Sequence, residues 1–252
     1  MRHILFIGVK MKISIRNLEP KLEQLKPLAE AYYHSYNNLS KDYKSSEEMA
    51  LYTKGYFLRK LWKMSHDKES AVAVLWVNER PGGFVRYSKV PDYYKTPVNG
   101  ANSNLEQGIL DGHDYTWVRK VDFNQDIILD DKTLIVNQIY LDPALQHRGL
   151  GTYLFAKTLP TLKENGYESL IIEYNENNKN AEKFYKGVGF SPIAKTKDFD
   201  HIIEKDNKTL FCVSDVEIAY TTVDDSIKCI QNTRKKYPHI AFLGKKNAAA
   251  YR

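Results

Sequence analysis

Two closely spaced glycines carry the clearest chemical signal in the chain. Gly149 and Gly151 follow Arg148 and stand between an apolar, strand-like segment and a segment with helical periodicity. Glycine allows the backbone to adopt positive φ and to approach a ligand closely. The free N–H groups of a first helical turn point at an anion, and the helix dipole favours negative charge there. Because Arg148 adds a fixed positive charge, we expect this turn to bind a phosphate-bearing ligand.

The spacing of these glycines excludes two familiar phosphate-binding loops. A P-loop ends in Gly-Lys-Ser or Gly-Lys-Thr, whereas Gly149 is followed by leucine and Gly151 by threonine. The dinucleotide-binding fingerprint needs three glycines in a different spacing within an early βαβ unit. The turn therefore belongs to another class of phosphate site.

The glycine turn and a second motif together resemble one family. Gln146-x-x-Gly149-x-Gly151 resembles the Arg/Gln-x-x-Gly-x-Gly/Ala pyrophosphate loop of the GNAT superfamily of N-acetyltransferases. Downstream, the segment from Asn178 to Phe190 is similar to the Asn-x-x-Ala-x-x-Phe-Tyr-x-x-x-Gly-Phe segment that closes the same cofactor site in that family. Without the second motif, the glycines are equally compatible with a plain strand-to-helix turn.

The resemblance implies acetyl-CoA as co-substrate and a reaction that needs no metal. Backbone N–H groups from Gln146 through Thr152 would hold the pyrophosphate, and the preceding strand would pair with the pantetheine arm as an added strand does. Asn178 and Ala181 would flank the arm from the other side. The cofactor-binding residues implied in this way are Ile139, Tyr140, Leu141, Gln146, His147, Arg148, Gly149, Leu150, Gly151, Thr152, Asn178, Ala181 and Tyr185.

The family reaction is direct attack of an acceptor amine on the thioester carbonyl. The resemblance implies that Tyr185 protonates the leaving thiolate, and that a strand N–H near Ile139 stabilises the oxyanion. On the residues alone, Tyr185 beside Phe184 is also compatible with an aromatic residue of the core.

The acceptor ammonium must first lose a proton to a general base. Glu173 is the first candidate because it interrupts the apolar strand at 170–172, and Asp142 is the second. Each has a plain structural alternative. Glu173 suits the solvent-facing side of a strand, and Asp142 before Pro143 suits a turn.

The surrounding elements must position these residues. Apolar alternation and periodicity predict helices at 22–32, 45–64, 151–164 and 180–187, and strands at 12–16, 71–77, 84–90, 133–141, 170–174 and 213–220. Pro81-Gly82-Gly83 predicts a turn between two early strands. A further strand is possible at 117–123. Residues 133–190 alternate strand and helix, which predicts a locally parallel, crossover-connected unit.

These elements indicate an α/β fold of the α+β-like kind, with a mixed, mostly antiparallel central sheet flanked by helices, as in the GNAT acyl-CoA acyltransferase fold. We predict one domain over 11–224, after an N-terminal extension at 1–10 and before a basic segment at 225–252. The resemblance covers residues 133–190 by motif and residues 12–90 by element order only. Residues 91–132 are an insertion that it does not explain.

The charge of the chain is unevenly distributed. The 252 residues carry a formal net charge of +6, but seven basic and no acidic residues follow Asp225. The insertion at 91–132 holds eight acidic and four basic residues. If it lies over the acceptor side, its acids and its tyrosines (Tyr93, Tyr94 and Tyr115) favour a cationic amine. Candidate acceptors are a protein lysine or N-terminus, a polyamine, or an aminoglycoside-like molecule.

Two other classes of function remain open on the sequence. The chain is also compatible with a non-catalytic acyl-CoA-binding sensor, which would keep the pyrophosphate loop but lack a working base. The basic segment is compatible with a nucleic-acid arm, although a solvated helix end is the simpler interpretation.

Composition sets the remaining expectations. No apolar run is long enough to span a bilayer. Two cysteines, Cys212 and Cys229, predict reduced thiols in a cytoplasmic protein rather than a disulfide framework. The seven histidines form no pair at metal-ligand helical spacing. We expect a monomer or a homodimer that binds no membrane.

Overall fold

The computed structural model describes residues 12–40, 46–91, 102–110, 113–123, 127, 129–205 and 208–236. Within these ranges the chain forms six α-helices and nine strands. The helices are α1 (Leu22–Ser40), α2 (Ser46–Leu51), α3 (Lys54–His66), α4 (Leu150–Glu164), α5 (Lys179–Gly187) and α6 (Val223–Lys236). The strands are β1 (Ile13–Asn17), β2 (Ser70–Val77), β3 (Arg80–Lys89), β4 (Asn102–Leu110), β5 (His113–Phe123), β6 (Thr133–Leu141), β7 (Ser169–Asn175), β8 (Ser191–Lys205) and β9 (Lys208–Thr222).

The described strands form one sheet in the order β1-β2-β3-β6-β7-β9-β8-β5-β4. All neighbouring pairs are antiparallel except β6 and β7, which are parallel. Seven strands, in the order β1-β2-β3-β6-β7-β9-β8, make the body of the sheet. The β4–β5 hairpin joins the β8 edge of this body, where Asp122 of β5 lies opposite Lys195 of β8. The predicted mixed, mostly antiparallel sheet with flanking helices is confirmed.

The parallel pair separates at its carboxyl end. β6 and β7 are paired only from Thr133 opposite Ser169 to Val136 opposite Ile172. Beyond that point β6 continues along β3, and β7 continues along β9. A gap therefore opens between the carboxyl ends of two adjacent parallel strands, which is where open α/β sheets bind their ligands.

Helices cover both faces of the sheet. One core cluster joins the sheet to α4, α5 and α6, and its members include Val136, Leu154 and Ile172. A second cluster joins the opposite face to α1 and α3 through Tyr32 and Phe57. Full burial of each such side chain contributes about 1.5–3 kcal/mol, so both layers hold the sheet rigidly around the gap.

The N-terminal helices differ from the sequence prediction in length and number. α1 runs to Ser40, well past the predicted end, and contains Pro27 in its interior. The helix predicted over 45–64 is two helices, because Thr53 caps a new one. Its hydroxyl accepts the N–H of Tyr56 at 3.2 Å, which satisfies one of the unpaired donors of the first turn.

The early hairpin turns at a different place from the predicted one. Asn78 and Glu79 adopt positive φ, at 50° and 63°, and connect β2 to β3. The prediction that Pro81-Gly82-Gly83 forms this turn is wrong, since these residues lie within β3 and are buried. Gly83 instead allows a close approach between β3 and β6.

The last elements complete the sheet and one helical layer. The insertion at 91–132 contributes β4 and β5, and the strand considered at 117–123 is the second half of β5. The boundary predicted between residues 224 and 225 falls inside α6, whose Val223 and Ile230 are buried in the core. Residues 1–10 and 237–252 lie outside the described residues, so the N-terminal extension and the end of the basic segment do as well.

Within the described part of the chain, no helix is both long and apolar enough to cross a bilayer. The Cys229 thiol is free and half-buried, and it donates to the Gly187 carbonyl at 3.4 Å. The side chain of Cys212 is outside the described set.

Candidate active site

A left-handed turn joins the end of β6 to α4. Asp142 Oδ1 accepts the Ala144 N–H at 2.8 Å and starts a single 3-10 turn at Pro143–Leu145. His147 and Gly149 then adopt positive φ, at 58° and 75°, and α4 begins at the next residue. Because positive φ is costly for residues with a Cβ, the backbone itself favours glycine at position 149.

The first turn of α4 lies beside the carboxyl end of β6 and leaves N–H groups unpaired. Leu150, Gly151 and Thr152 have no intrahelical carbonyl to bond, and Gly149 has no side chain to cap them. The first intrahelical hydrogen bond is donated by the Tyr153 N–H to the Gly149 carbonyl, at 2.9 Å. The helix dipole adds partial positive charge at this end, so the turn is suited to hold an anion.

Gln146 ties the turn to two other elements. Its Nε2 donates to the Leu141 carbonyl at 3.0 Å and to Ser35 Oγ at 3.3 Å. Ser35 lies on α1 and is fully buried. The Gln146 side chain is thus committed to holding the turn in shape, and a ligand would meet its backbone.

Gly151 is favoured by the packing of α4 on α5. A Cβ at this position would lie 3.0 Å from Phe184 Cε2 and 3.5 Å from Leu141 Cδ1. The former distance is shorter than a comfortable carbon–carbon contact. The second glycine of the loop motif and the phenylalanine of the downstream motif are therefore in contact, so the fold brings the two predicted motifs together.

The downstream motif forms α5 and part of the core. Asn178 caps the helix, because its Oδ1 accepts the Ala181 N–H at 3.0 Å. Tyr185 is only 6% exposed, and its ring lies 5.4 Å from that of Tyr174 and 5.8 Å from that of Phe190. Tyr185 is a core aromatic residue whatever its chemical role.

A second phenol beside Tyr185 is fixed by a carboxylate. The Tyr174 hydroxyl donates to Glu217 Oε2 at 2.6 Å across the β7–β9 pair. Burial and this hydrogen bond raise the pKa of Tyr174. On α5, hydrogen bonds from Lys186 and Lys179 lower the pKa of the Glu182 carboxyl. The surroundings of Tyr185 therefore contain one neutral phenol and two paired carboxylates.

The two candidate bases occupy different environments. One carboxylate oxygen of Asp142 accepts the Ala144 N–H, as predicted by its interpretation as a turn residue. Glu173 is half-buried on β7, one residue beyond the last pair with β6. Because side chains alternate along a strand, Glu173 faces away from α4, opposite to Ile172 and Tyr174. Its position at the opening of the gap favours Glu173.

The end of β6 shows two different faces. Ile139 and Leu141 pack against the α4 cluster, whereas Tyr140 points to the other face, with its ring 4.1 Å from that of Tyr32. The side chain of Tyr140 is thus an anchor for α1. A Cβ at Gly83 would collide with the Tyr140 carbonyl and the Leu141 backbone, which explains a glycine that sequence reasoning had assigned to a turn.

No cluster of three or more metal-ligating side chains occurs among the residues that the structure describes. Within the acidic insertion, the side chains of Asp130 and Asp131 are described and exposed, whereas those of its other six acidic residues lie outside this set.

Known proteins share this architecture. The acetyltransferase (GNAT) family model matches residues 33–190. An uncharacterized N-acetyltransferase of Methanocaldococcus jannaschii is 23% identical over 192 residues, which is 76% of this chain and 66% of that protein. The [ribosomal protein bS18]-alanine N-acetyltransferase of Haemophilus ducreyi is 32% identical over 72 residues, 29% of this chain and 48% of that protein. The alignments thus span about half to two thirds of these relatives' lengths.

Among solved structures, the PaiA N-acetyltransferase of Thermoplasma acidophilum in complex with coenzyme A superposes with a TM-score of 0.51 at 15% identity. The superposition covers 84% of this chain and 99% of that one. At this identity the likeness concerns the fold.

Proposed function

Because the chain belongs to the GNAT family of acetyltransferases, we propose that it is an acetyl-CoA-dependent N-acetyltransferase. The observation that carries the proposal is the turn at Gly149, after which the first N–H groups of α4 lack intrahelical partners, next to the end of β6 where β6 and β7 have separated. A pyrophosphate at this turn directs the pantetheine arm of CoA into the gap.

The cofactor would be held mostly by backbone. N–H groups from Gln146 to Thr152 bind the pyrophosphate, and Arg148, which is exposed before the helix, adds charge. In the gap, β6 has lost its β7 partner, so the backbone of Ile139 to Leu141 pairs with the pantetheine amides on that side. Asn178 and Ala181, at the start of α5, border the arm on the other side.

The transfer step involves three proton movements. The acceptor ammonium gives one proton to a base and becomes a neutral amine, whose nitrogen attacks the thioester carbonyl. A strand N–H near Ile139 stabilises the oxyanion. When the carbon–sulfur bond breaks, Tyr185 gives its proton to the thiolate, and the extra proton of the attacking nitrogen passes through solvent to the Tyr185 phenolate. The base then releases the first proton to solvent, so one proton leaves with the products. The products are the acetylated amine and CoA.

Glu173 is the proposed base. It stands at the opening of the gap, on the face of the sheet opposite to α4, whereas Tyr185 lies on the α4 and α5 side. A base and an acid on opposite faces suit an acceptor that enters from one side while the leaving sulfur departs toward the other.

The acceptor class is a cationic amine, by the charge of the insertion at 91–132. The β5 strand of this insertion joins the edge of the sheet at β8. The Haemophilus ducreyi relative acts on an alanine of ribosomal protein bS18, which favours a peptide amine as the first acceptor to try. A lysine side chain, a polyamine and an aminoglycoside are the other members of the class.

The test measures CoA release from acetyl-CoA with four acceptors: a peptide that begins with alanine, an N-blocked lysine peptide, spermidine and an aminoglycoside. We expect at least one to support turnover. Tyr185→Phe should lower kcat about a hundredfold or more, the lower range for lost acid–base catalysis. Glu173→Gln should lower kcat at neutral pH and recover part of it at alkaline pH, where the amine is already neutral.

Tyr167→Phe is the matched control, because it removes a half-buried phenol just beyond α4 and should keep kcat. Tight binding of CoA without release in the presence of any amine would instead identify an acyl-CoA sensor. Equal losses of kcat in Tyr167→Phe and Tyr185→Phe would remove Tyr185 from the mechanism.

A further inference from the structure

A β-bulge places two amide side chains beside the opening of the gap. Arg86 of β3 lies opposite Gln138 of β6, but the next β3 residue, Tyr87, lies opposite Val136. Asn137 is therefore an extra residue that no β3 residue faces. Bulges of this kind occur next to active sites, where they redirect side chains.

The bulge turns Asn137 and Gln138 to the same face. Val136 packs on the α4 side, and after the bulge Ile139 does so again. The two residues between them consequently both point to the opposite face, which is also the face of Tyr140 and Glu173. Since Val136 and Ile172 form the last parallel pair, Asn137 and Glu173 are the first residues on either side of the gap.

Both amide oxygens are buried without a partner. Asn137 Oδ1 and Gln138 Oε1 are inaccessible to solvent, and neither accepts a hydrogen bond in the described structure. Opposite Gln138, Arg86 donates its Nη2 to Asp67 Oδ2 at 2.8 Å, and its Nε is also buried without a partner. An unpaired buried acceptor is costly, and two adjacent ones are rare. No hydrogen bond holds these oxygens, so rotation about the last side-chain torsion can turn them toward the gap.

We propose that Asn137, Gln138 and Glu173 form the binding site for the acceptor amine, and that this site selects primary amines. This inference rests on the proposed function and assigns its acceptor side. Glu173 takes the proton of the ammonium, and the two amide oxygens accept the N–H bonds of the resulting neutral amine. With both N–H bonds held, the nitrogen lone pair is aimed at the thioester. A secondary amine offers one N–H and a tertiary amine none.

The first arm of the test is kinetic. In the double variant Asn137→Leu/Gln138→Leu, we expect the KM of the best primary amine to rise about tenfold or more, as for loss of two neutral hydrogen bonds of about 0.5–1.5 kcal/mol each. The KM of acetyl-CoA should stay unchanged, and the melting temperature should stay level or rise, because two orphaned acceptors are gone. Asn137→Asp, which keeps acceptor oxygens, should retain the wild-type preference for primary amines.

Thr133→Val is the matched control, since it removes a buried hydroxyl at the other end of β6, where Thr133 bonds Ser169 at 2.8 Å. It should lower the melting temperature without moving the amine KM. An unchanged amine KM in the double variant would overturn the proposal, as would an equal rise in the KM values of amine and acetyl-CoA.

The second arm needs no turnover. Binding of propylamine and of its N,N-dimethyl derivative to the CoA-loaded protein is followed by saturation-transfer NMR. Propylamine alone should bind the wild type, and its signal should be lost in the double variant. If propylamine binds in this way but no amine is acetylated, the amine site stands and the proposed reaction fails. If amines are acetylated but both probes bind equally to both proteins, the amine site fails.

Discussion

Replacement of Gly149 by alanine tests the proposed phosphate-binding turn against a matched glycine at the other end of α4. Gly149 precedes α4 with φ 75°, and Gly166 follows α4 with φ 85°. A Cβ at Gly166 would meet nothing within 4 Å. Alanine at either position is therefore forced into the same unfavourable backbone region, but only Gly149 adjoins the N–H groups that would hold the pyrophosphate.

The two variants should lose similar stability. The left-handed conformation costs an alanine about 1–2 kcal/mol. For a chain of this size, 1 kcal/mol corresponds to about 2–4 °C in melting temperature. We therefore expect the melting temperature without ligand to fall by roughly 2–8 °C for both Gly149→Ala and Gly166→Ala.

Their effects on acetyl-CoA should differ. A strained turn relaxes by shifting the N–H groups that follow Gly149, and loss of one hydrogen bond to a charged group costs about 1.5–3 kcal/mol. Since about 1.4 kcal/mol is a factor of ten, the Kd of CoA should rise about 10-fold to 100-fold in Gly149→Ala. Gly166→Ala should bind CoA like the wild type.

Thermal denaturation and calorimetric titration with CoA measure both quantities on the same samples. If Gly149→Ala loses stability but binds CoA with wild-type affinity, the turn holds no phosphate and the proposed site is wrong. The proposed site also fails if Gly166→Ala weakens CoA binding as much, because the effect is then a general loss of stability.

Three further outcomes are expected. Gly151→Ala should lower the free energy of unfolding in urea by about 1–3 kcal/mol, because the new methyl group meets Phe184, and the added change Phe184→Leu should restore part of it. Gln146→Leu, which removes both side-chain hydrogen bonds of the turn, should raise the KM of acetyl-CoA about fivefold to tenfold; an unchanged KM would show that the turn keeps its shape without them. Since burial and Glu217 raise the pKa of Tyr174, the unfolded chain loses this proton first, so stability should fall as pH rises above about 10. Unfolding measured between pH 9 and 11 should show a smaller fall in Tyr174→Phe, and an identical fall would contradict the shift.

Local sequence signals predicted the elements that carry the proposed site. The strand predicted over 133–141 is β6 residue for residue, and α4 begins one residue before its predicted start. Apolar patterning and the glycine turn act on neighbouring residues, so both are visible in a short stretch of sequence. The same holds for α5, whose cap at Asn178 belongs to the motif itself.

The roles of other glycines depend on tertiary packing and could not be predicted from local sequence. Gly82 and Gly83 look like turn residues because glycine serves both positive φ and close approach, and the sequence does not distinguish the two. Here a Cβ at Gly83 would collide with the Tyr140 carbonyl, a contact made only when β3 and β6 pair. The contact between Gly151 and Phe184 is equally nonlocal, since it appears only after α4 and α5 pack together.

The bulge at Asn137 determines what the end of β6 can do. With strict alternation, Tyr140 would share a face with Val136, and Ile139 would point to α1. The extra residue reverses this arrangement. Ile139 and Leu141 therefore pack on the α4 side, and Tyr140 packs against Tyr32. No glycine or proline marks the position, because the bulge follows from the register of β3 against β6. One unpaired residue thereby separates the strand into a core half and a half that adjoins the proposed cofactor and amine sites.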